Sequence, residues 1–547
     1  MLACGKGWRG WRFIAPAVIG SLASLLLLWG LADRYLWQDE ASTAVLALRM
    51  LRFGRPLAYD GVNLLTIDSV VAEDARTIDS RTTSPKAAID YYTGRHDFKS
   101  DTTWTFHPWG QFIVTAVSLK LLGQNTIAAR LPFAFAGIIT VLLLYRWIRV
   151  SFDSPLMAQL AALLLVFNAY WILHGRQCRY YSLSSLFMVL TLMGCTLWQR
   201  TGRWGATAFV IAAWCWFQVD YGSVWPVLAV LFVDALVADR RKLWRPALVG
   251  VILAATLAPF ISYYGLWNRL SAQDLTWKTL FSVTVFNINE YVAPVPIVFA
   301  AVVLIAWRWK TLPVAERRLL AVACGILFAL AIWVPSVAPA PFLRYVIIAA
   351  PVGCLLTVWV LVRGFNLRPT FAWLGATIVL LTPWLSIPLH FLNSPPRWYP
   401  DNRLLRSELL TLGKEIFASR VDPNRLVIDW LRKNATPTDE ILINYEDVPL
   451  MFYLPNPIRG GVPAFRAEDD SKGPPTFVVI RRSVPFVHWE VFQREVNRYQ
   501  WIVVPLKAPD VLWGNNPDPM AQAQDFATNR TIIVARRATA AEGSASR

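Results

Sequence analysis

Two adjacent carboxylates, Asp39 and Glu40, lie in the stretch Leu36-Trp37-Gln38-Asp39-Glu40-Ala41, a few residues past the first long apolar segment. Charges at such a place are costly unless they face water, so the pair reads as a functional site. The residues that follow, Ala41 to Arg52, carry a helical period. Ala41, Ala44, Val45, Leu48 and Leu51 fall on one face, with Ser42, Arg49 and Arg52 off it. The pair therefore opens an amphipathic helix along a membrane surface, where the positive end of the helix dipole favours ionised carboxylates. On this stretch alone, a plain acidic helix cap would read the same way.

A second set of residues could hold an anion. It comprises His107-Pro108-Trp109-Gly110, Arg176-Gln177-Cys178-Arg179-Tyr180-Tyr181, Asp220-Tyr221 and Phe342-Leu343-Arg344-Tyr345, each at the end of an apolar run. Arginine suits phosphate because its planar fork offers paired donors. Blander readings exist for each. Arg179 and Arg344 would serve as snorkelling residues, Tyr180, Tyr181 and Tyr345 as an aromatic belt, and His107 as a loop histidine. A carboxylate together with phosphate-binding cations at a membrane surface suggests chemistry on a lipid-linked phosphate.

The elements that must position these residues are membrane spans. The chain has 547 residues, is 55% hydrophobic and only 16% charged, and its mean hydropathy is +0.40, which excludes an ordinary soluble protein. The 27 tryptophans suit many membrane–water boundaries. A span needs about 20 mostly apolar residues. Runs near 13–32, 126–147, 156–173, 182–198, 204–219, 223–237, 246–263, 292–308, 318–335, 345–362 and 371–391 meet this, about eleven in all. The run from Pro108 to Leu122 is short and carries Gln111 and Lys120, so it is expected to lie in the interface. Lys6, Arg9 and Arg12 before the first run resemble a signal peptide, but the run is long enough to span and is read as a retained helix.

The positive-inside rule sets the orientation. With the N-terminus cytoplasmic, the inside segments hold most of the loop cations, among them Arg146, Arg149, Arg200, Arg203, Arg240, Arg241, Lys242, Arg245, Arg308, Lys310, Arg317, Arg318, Arg363 and Arg368. The short outside loops hold few, and Arg176, Arg179 and Arg344 are three of those exceptions. The net charge of +17 thus follows topology and does not form a nucleic-acid patch. The six cysteines are scattered, with neither metal-ligand spacing nor a disulfide framework.

The expected fold is mainly α: a polytopic membrane domain over 1–392 with a small extracytoplasmic α/β domain over 393–547. A large outer loop over 33–125 belongs to the membrane domain. In the tail, Leu426–Lys433 and His488–Arg498 read as helices. Glu440–Asn444, Thr476–Ile480, Trp501–Pro505 and Thr531–Ala535 read as short strands.

In this order the motifs resemble those of the GT-C-fold membrane glycosyltransferases, the type that includes protein O-mannosyltransferases and the aminoarabinose transferases acting on lipid A. Leu36-Trp37-Gln38-Asp39-Glu40-Ala41 is similar to the Asp-Glu signature of the first outer loop. His107-Pro108, Leu122-Gly123-Gln124-Asn125 and Arg130-Leu131-Pro132 are similar to the His-Pro, Phe-Gly and Arg-Leu-Pro pattern. Arg176 to Tyr180 resembles the Ala-Arg-x-Tyr element, and Arg344-Tyr345 the late Arg-Tyr. The resemblance implies a sugar donor carried on a polyprenyl phosphate. It also implies Asp39 as catalytic base, Glu40 as its supporting carboxylate, and transfer with inversion to a hydroxyl on a lipid, glycan or protein acceptor. His107, Arg176, Arg179, Tyr180, Arg344 and Tyr345 are then expected at the donor phosphate, and Asp220 and Tyr221 at acceptor or sugar. No metal ligand is assigned. The chain departs from some relatives at Gln177-Cys178, His107 and Asp220, which leaves a divalent metal open. The implied setting is the bacterial inner membrane, with membrane lipid as partner, no nucleic acid, and the C-terminal domain periplasmic. The alternative is a transporter or flippase for a lipid-linked sugar, which would call for mid-span charges and an inverted repeat; few of the first and none of the second are evident.

Overall fold

The computed structural model describes residues 11–66, 93–94, 97–238, 244–266, 277–337, 343–386, 407–418, 421–460, 475–481, 497, 499–510 and 531–538. The fold is mainly helical with one small sheet. In chain order the helices are α1 (Trp11–Leu28), α2 (Gln38–Phe53), α3 (Gly110–Leu122), α4 (Thr126–Phe152), α5 (Pro155–Val166), α6 (Ala169–Gly175), α7 (Tyr181–Thr201), α8 (Arg203–Val219) and α9 (Tyr221–Ala238). They continue with α10 (Trp244–Tyr263), α11 (Trp277–Asn287), α12 (Val295–Trp307), α13 (Val314–Val337), α14 (Ala350–Trp359), α15 (Pro369–Leu381), α16 (Glu408–Phe417), α17 (Pro423–Asn434) and α18 (Asp447–Tyr453). The strands are β1 (Ile441–Ile443), β2 (Ile458–Arg459), β3 (Phe477–Ile480), β4 (Trp501–Pro509) and β5 (Thr531–Arg537).

Contacts divide the chain into two compact units, one of Met1–Trp29 with Leu131–Phe417, the other of Gly30–Arg130 with Ala418–Arg547. The first unit is the apolar one. Among the described residues, the helices over Thr126–Phe152, Tyr181–Gln199, Trp244–Tyr263, Val314–Ser336 and Ile347–Gly364 are long and apolar enough to cross a membrane. Two further pairs are bent, α5 with α6 by 65° and Phe281–Val292 with α12 by 88°. Shorter apolar helices run over Ile14–Leu28, Gly110–Leu122, Trp204–Val219, Tyr221–Val237 and Pro369–Leu381. Each run expected as a span holds one of these helices or pairs.

The run 156–173 is broken by a bend, and the run 292–308 holds one helix with a bend at its start. In the first, Asn168 is extended and its side chain accepts the Trp171 N–H at 2.8 Å, starting a new helix at Ala169 after the old one ends at Val166. In the second, Pro294 has no N–H to continue the ladder, and a π-helical turn (Ile288–Val292) precedes the bend. Helix α14 lies at the centre of this unit, with every residue from Ala350 to Trp359 buried. The α7–α8 hairpin packs closely because Gly194 leaves room; a Cβ there would lie 2.7 Å from the Phe209 nitrogen.

The second unit joins Gly30–Arg130 to the tail in one folded body. Its sheet has the order β2-β1-β3-β5-β4, parallel from β2 to β3 and antiparallel at β3–β5 and β5–β4. The core packs Val427, Ile428 and Leu431 of α17 on Ile441, Ile443, Phe477, Val479 and Val534 of the sheet. Helix α17 begins where Asp422 accepts the N–H groups of Asn424 and Arg425 and Pro423 takes the first position. The four expected strands stand at β1, β3, β4 and β5 and the first expected tail helix at α17, while β2, α16 and α18 were not expected. The second expected helix, His488–Arg498, and the linker around Pro395-Pro396 lie outside the described residues.

Candidate active site

Helix α2 opens at Trp37 and closes at Gly54, whose φ of 75° ends the helix with a left-handed turn. Asp39 and Glu40 both fall in its first turn, and their surroundings differ. Glu40 is fully buried. Arg130 grips it with two bonds, Nε to Oε1 at 2.8 Å and Nη2 to Oε2 at 2.6 Å. Glu40 also accepts the Trp37 N–H at 3.4 Å. The other guanidinium hydrogens go to the carbonyls of Leu31, Arg34 and Tyr35. Asp39, one residue earlier, is partly exposed. Glu40 is thus held by Arg130, and Asp39 stands beside it in the first helical turn.

The expectation that Arg49 stands off the packed face of α2 is corrected by the structure. Arg49 is 4% exposed, pairs with Asp60 at 2.8 Å, and donates to the carbonyls of Leu57, Ala58 and Asn63. The segment over 57–63 folds over this side of the helix and needs a multidentate donor to satisfy its turning backbone. Leu51, expected on the packed face, is exposed instead.

His107 sits at the start of the segment leading into α3. Its Nδ1 accepts from Trp104 Nε1 at 3.4 Å, its ring stacks on Trp104, and Phe106 meets it edge-on at 4.8 Å. Trp109 Nε1 closes the turn on the Trp104 carbonyl at 2.8 Å.

In the first unit, four of the expected residues gather. Tyr180 precedes α7 and lies within electrostatic reach of Arg179, Asp220 and Tyr345. Arg179 is 7% exposed, with its guanidinium 5.6 Å from the Tyr180 ring centre. Arg344 and Tyr345 form a 3₁₀ turn, with the guanidinium 5.7 Å from the Tyr345 ring. Ser185 on α7 holds the neighbouring turn through the Ile348 carbonyl at 3.3 Å. Asp220 starts α9, accepting the N–H groups of Gly222 and Ser223 at 3.0 and 3.4 Å and the hydroxyls of Ser223 and Ser184. Burial pushes its carboxyl above the usual range, and those four donors oppose the shift. Tyr221 turns toward Phe217 and Tyr264. Arg176 has a structural use: it donates to the carbonyls of Leu26 (2.9 Å) and Trp29, at the C-terminal end of α1.

Sequence reasoning missed Gln38, His174 and Arg130 as a partner of Glu40. Buried His174 shares a hydrogen bond with Gln177 at 3.1 Å and packs edge-on against Tyr181. Arg130 lay in the Arg-Leu-Pro motif and Gln38 in the Asp-Glu stretch, neither of which showed a partner; His174 carried no signal. Among the described residues, no group of three or more His, Cys, Asp or Glu is gathered that could hold a metal ion.

Residues 106–265 match the family model described as dolichyl-phosphate-mannose-protein mannosyltransferase. This is the class of membrane glycosyltransferase that the ordered motifs resemble. In structure the chain is similar to ArnT from Cupriavidus metallidurans, solved bound to undecaprenyl phosphate and in the apo state. Each comparison has a TM-score of 0.57 at 14% identity, covering 97% of this chain and 98% of ArnT. The fold is therefore the GT-C fold of ArnT over nearly the whole chain. No curated protein matches the chain significantly in sequence.

Proposed function

We propose that the chain is an inverting glycosyltransferase that moves a sugar from a polyprenyl-phosphate donor to an acceptor hydroxyl at the extracytoplasmic face of the membrane. The observation that carries this reading is the division of labour at the start of α2. Glu40 is locked to Arg130, while Asp39 is presented in the first helical turn. Asp39 takes the proton of the acceptor hydroxyl as its oxygen attacks the anomeric carbon. The bond from that carbon to the phosphate oxygen breaks on the opposite side, and the phosphate leaves with the electron pair. A phosphate leaving group is already acidic and needs no general acid. It needs cations where charge grows.

Arg179 and Arg344, with Tyr180 and Tyr345, are assigned to the donor phosphate, and His107 supports that role. Arg176 is the weaker candidate, because its donors reach backbone carbonyls. The family match to dolichyl-phosphate-mannose enzymes and the fold shared with an undecaprenyl-phosphate-bound protein support a lipid-phosphate donor. The proposed setting is a bacterial inner membrane, with the tail domain periplasmic.

The test is glycoside formation from a polyprenyl-phosphate sugar by purified protein. Asp39→Asn is expected to lower the rate by about 10² to 10⁴ while leaving the fold intact; near-full activity in that variant overturns the base assignment. Translocation of the lipid-linked sugar across vesicles with no glycoside formed would favour the flippase reading.

A further inference from the structure

The buried polar side chains at residues 422–453 face one short stretch of the outer loop, the four residues that lead into Asp39. Asp422 accepts the Tyr35 N–H at 2.6 Å. Tyr453 accepts the Leu36 N–H through its hydroxyl at 3.0 Å and stacks on the Tyr35 ring at 4.1 Å. Asn424 donates to the Leu36 carbonyl at 3.2 Å. Asp447 accepts from Gln38 Nε2 at 2.7 Å, and Gln38 Oε1 accepts the Val448 N–H at 3.3 Å. Behind these stands a second row. Arg481 donates to Asn424 at 2.6 Å and to Asp510 at 2.7 Å, and Asn444 exchanges two bonds with the Arg481 backbone.

Burying this many polar groups is costly unless each is satisfied, and a satisfied network fixes one geometry. The contact at Gln38 is the most telling. Its amide is used at both ends, by a carboxylate and by a backbone N–H, so neither rotation nor translation of the residue is free. Gln38 is bonded directly to Asp39. Gly460 keeps the place open for Asp447, since a Cβ at 460 would lie 1.9 Å from the Asp447 Cβ.

We infer that the C-terminal α/β region is a positioning element for the catalytic carboxylate, acting through a two-point clasp of Asp447 and the Val448 N–H on Gln38. The inference rests on the reading of Asp39 as base. Asp447 and Gln38 are positioning residues and touch no substrate. Misplacing a reacting group by about 1 Å can cost about 10² in rate, so the clasp acts on kcat more than on donor binding.

The experiment is a swap in the full-length enzyme, assayed with a polyprenyl-phosphate sugar. Gln38→Glu sets two carboxylates against each other and is expected to lower kcat by about 10² with KM little changed. In the double variant Gln38→Glu/Asp447→Asn the amide lies on the other side of the same contact, and recovery of most of the lost kcat is expected. Wild-type kcat in both Gln38→Glu and Gln38→Ala overturns the inference, as does a double variant no better than the single one. If Asp39→Asn proves active, the base reading fails, and the clasp is then read by hydrogen exchange in Gln38→Ala. Faster exchange at the Ala41 amide, which bonds to the Trp37 carbonyl at 2.9 Å, supports the clasp; unchanged exchange overturns it.

Discussion

Arg130 and Glu40 are joined by two parallel hydrogen bonds, at 2.8 and 2.6 Å, with the carboxylate fully buried. The pair ties the first turn of α2 to the start of α4, and through the carbonyls of Leu31, Arg34 and Tyr35 it also holds the segment between α1 and α2. Removing one partner strands the other charge away from water, which typically costs about 3–5 kcal/mol. Glu40→Ala is therefore expected to lower the unfolding temperature or the yield of folded protein sharply. Asp39→Asn should leave both near wild type. Thermal unfolding in detergent distinguishes the two, and equal stability of the two variants would remove the architectural role of Glu40.

Glu446 gives the tail a pH dependence with a definite sign. It is buried at a left-handed backbone position, φ 65°, and accepts from Asn424 at 3.0 Å. Burial pushes its carboxyl up to about 8, with Arg481 opposing. The folded state then holds a proton that the unfolded chain has already released above its ordinary value of 4.5. Stability is undiminished below that value and falls as pH rises toward 8. Glu446→Gln keeps an acceptor for Asn424 and has no proton to lose. Its unfolding temperature is expected to exceed that of the wild type at pH 7, with the difference closing near pH 4. A constant difference across that range would show that Glu446 does not titrate there.

Gly460→Ala tests how tightly the region around Asp447 is filled. The added methyl meets the Asp447 Cβ and Cγ, which cannot rotate away as the end of a long side chain would. Overpacking of this kind costs about 1–3 kcal/mol. The variant should lose stability and, through the Gln38 contact, activity. Retention of both would mean that β2 can shift without moving α18.

Arg49→Ala is expected to loosen the outer loop and spare the spans. The substitution removes the Arg49 donors from Asp60 and three carbonyls, leaving Asp60 only the Val62 and Asn63 N–H groups and Ala58 only that of Leu65, and local opening of residues 55–66 follows. Limited proteolysis should cut the variant in that segment at protease levels the wild type resists. An unchanged digestion pattern would show that the β-bridges Leu57–Thr103 and Tyr59–Leu64 hold the loop unaided.

The membrane helices were legible because apolar runs of span length have few other readings. The tail strands were legible from their β-branched composition. Bends were harder. Asn168 and Pro294 stood in plain view inside apolar runs, yet hydropathy alone averages over a single polar residue or proline. That Glu40 is held by Arg130 was not legible from the residues around it, since that partner lies 90 residues away. The burial of Arg49 escaped for a similar reason. A helical period shows which face is apolar, but not that a loop will fold over the other one. The contacts of residues 422–448 with 35–38 lie nearly 400 residues apart in the chain and leave no local pattern to read.

That separation bears on the order in which the protein is made. Gln38 and Asp447 are 409 residues apart. At elongation rates of about 5–20 residues per second, the partner of Gln38 emerges about 20–80 s after it. Until then residues 35–38 have left the ribosome without the groups that bond to them in the folded chain. The helix bearing Asp39 is among the earliest synthesised and among the last to reach its final geometry. A chain truncated before residue 422, however complete its spans, would carry the start of α2 without these bonds, so the final geometry of an early segment waits on the end of translation.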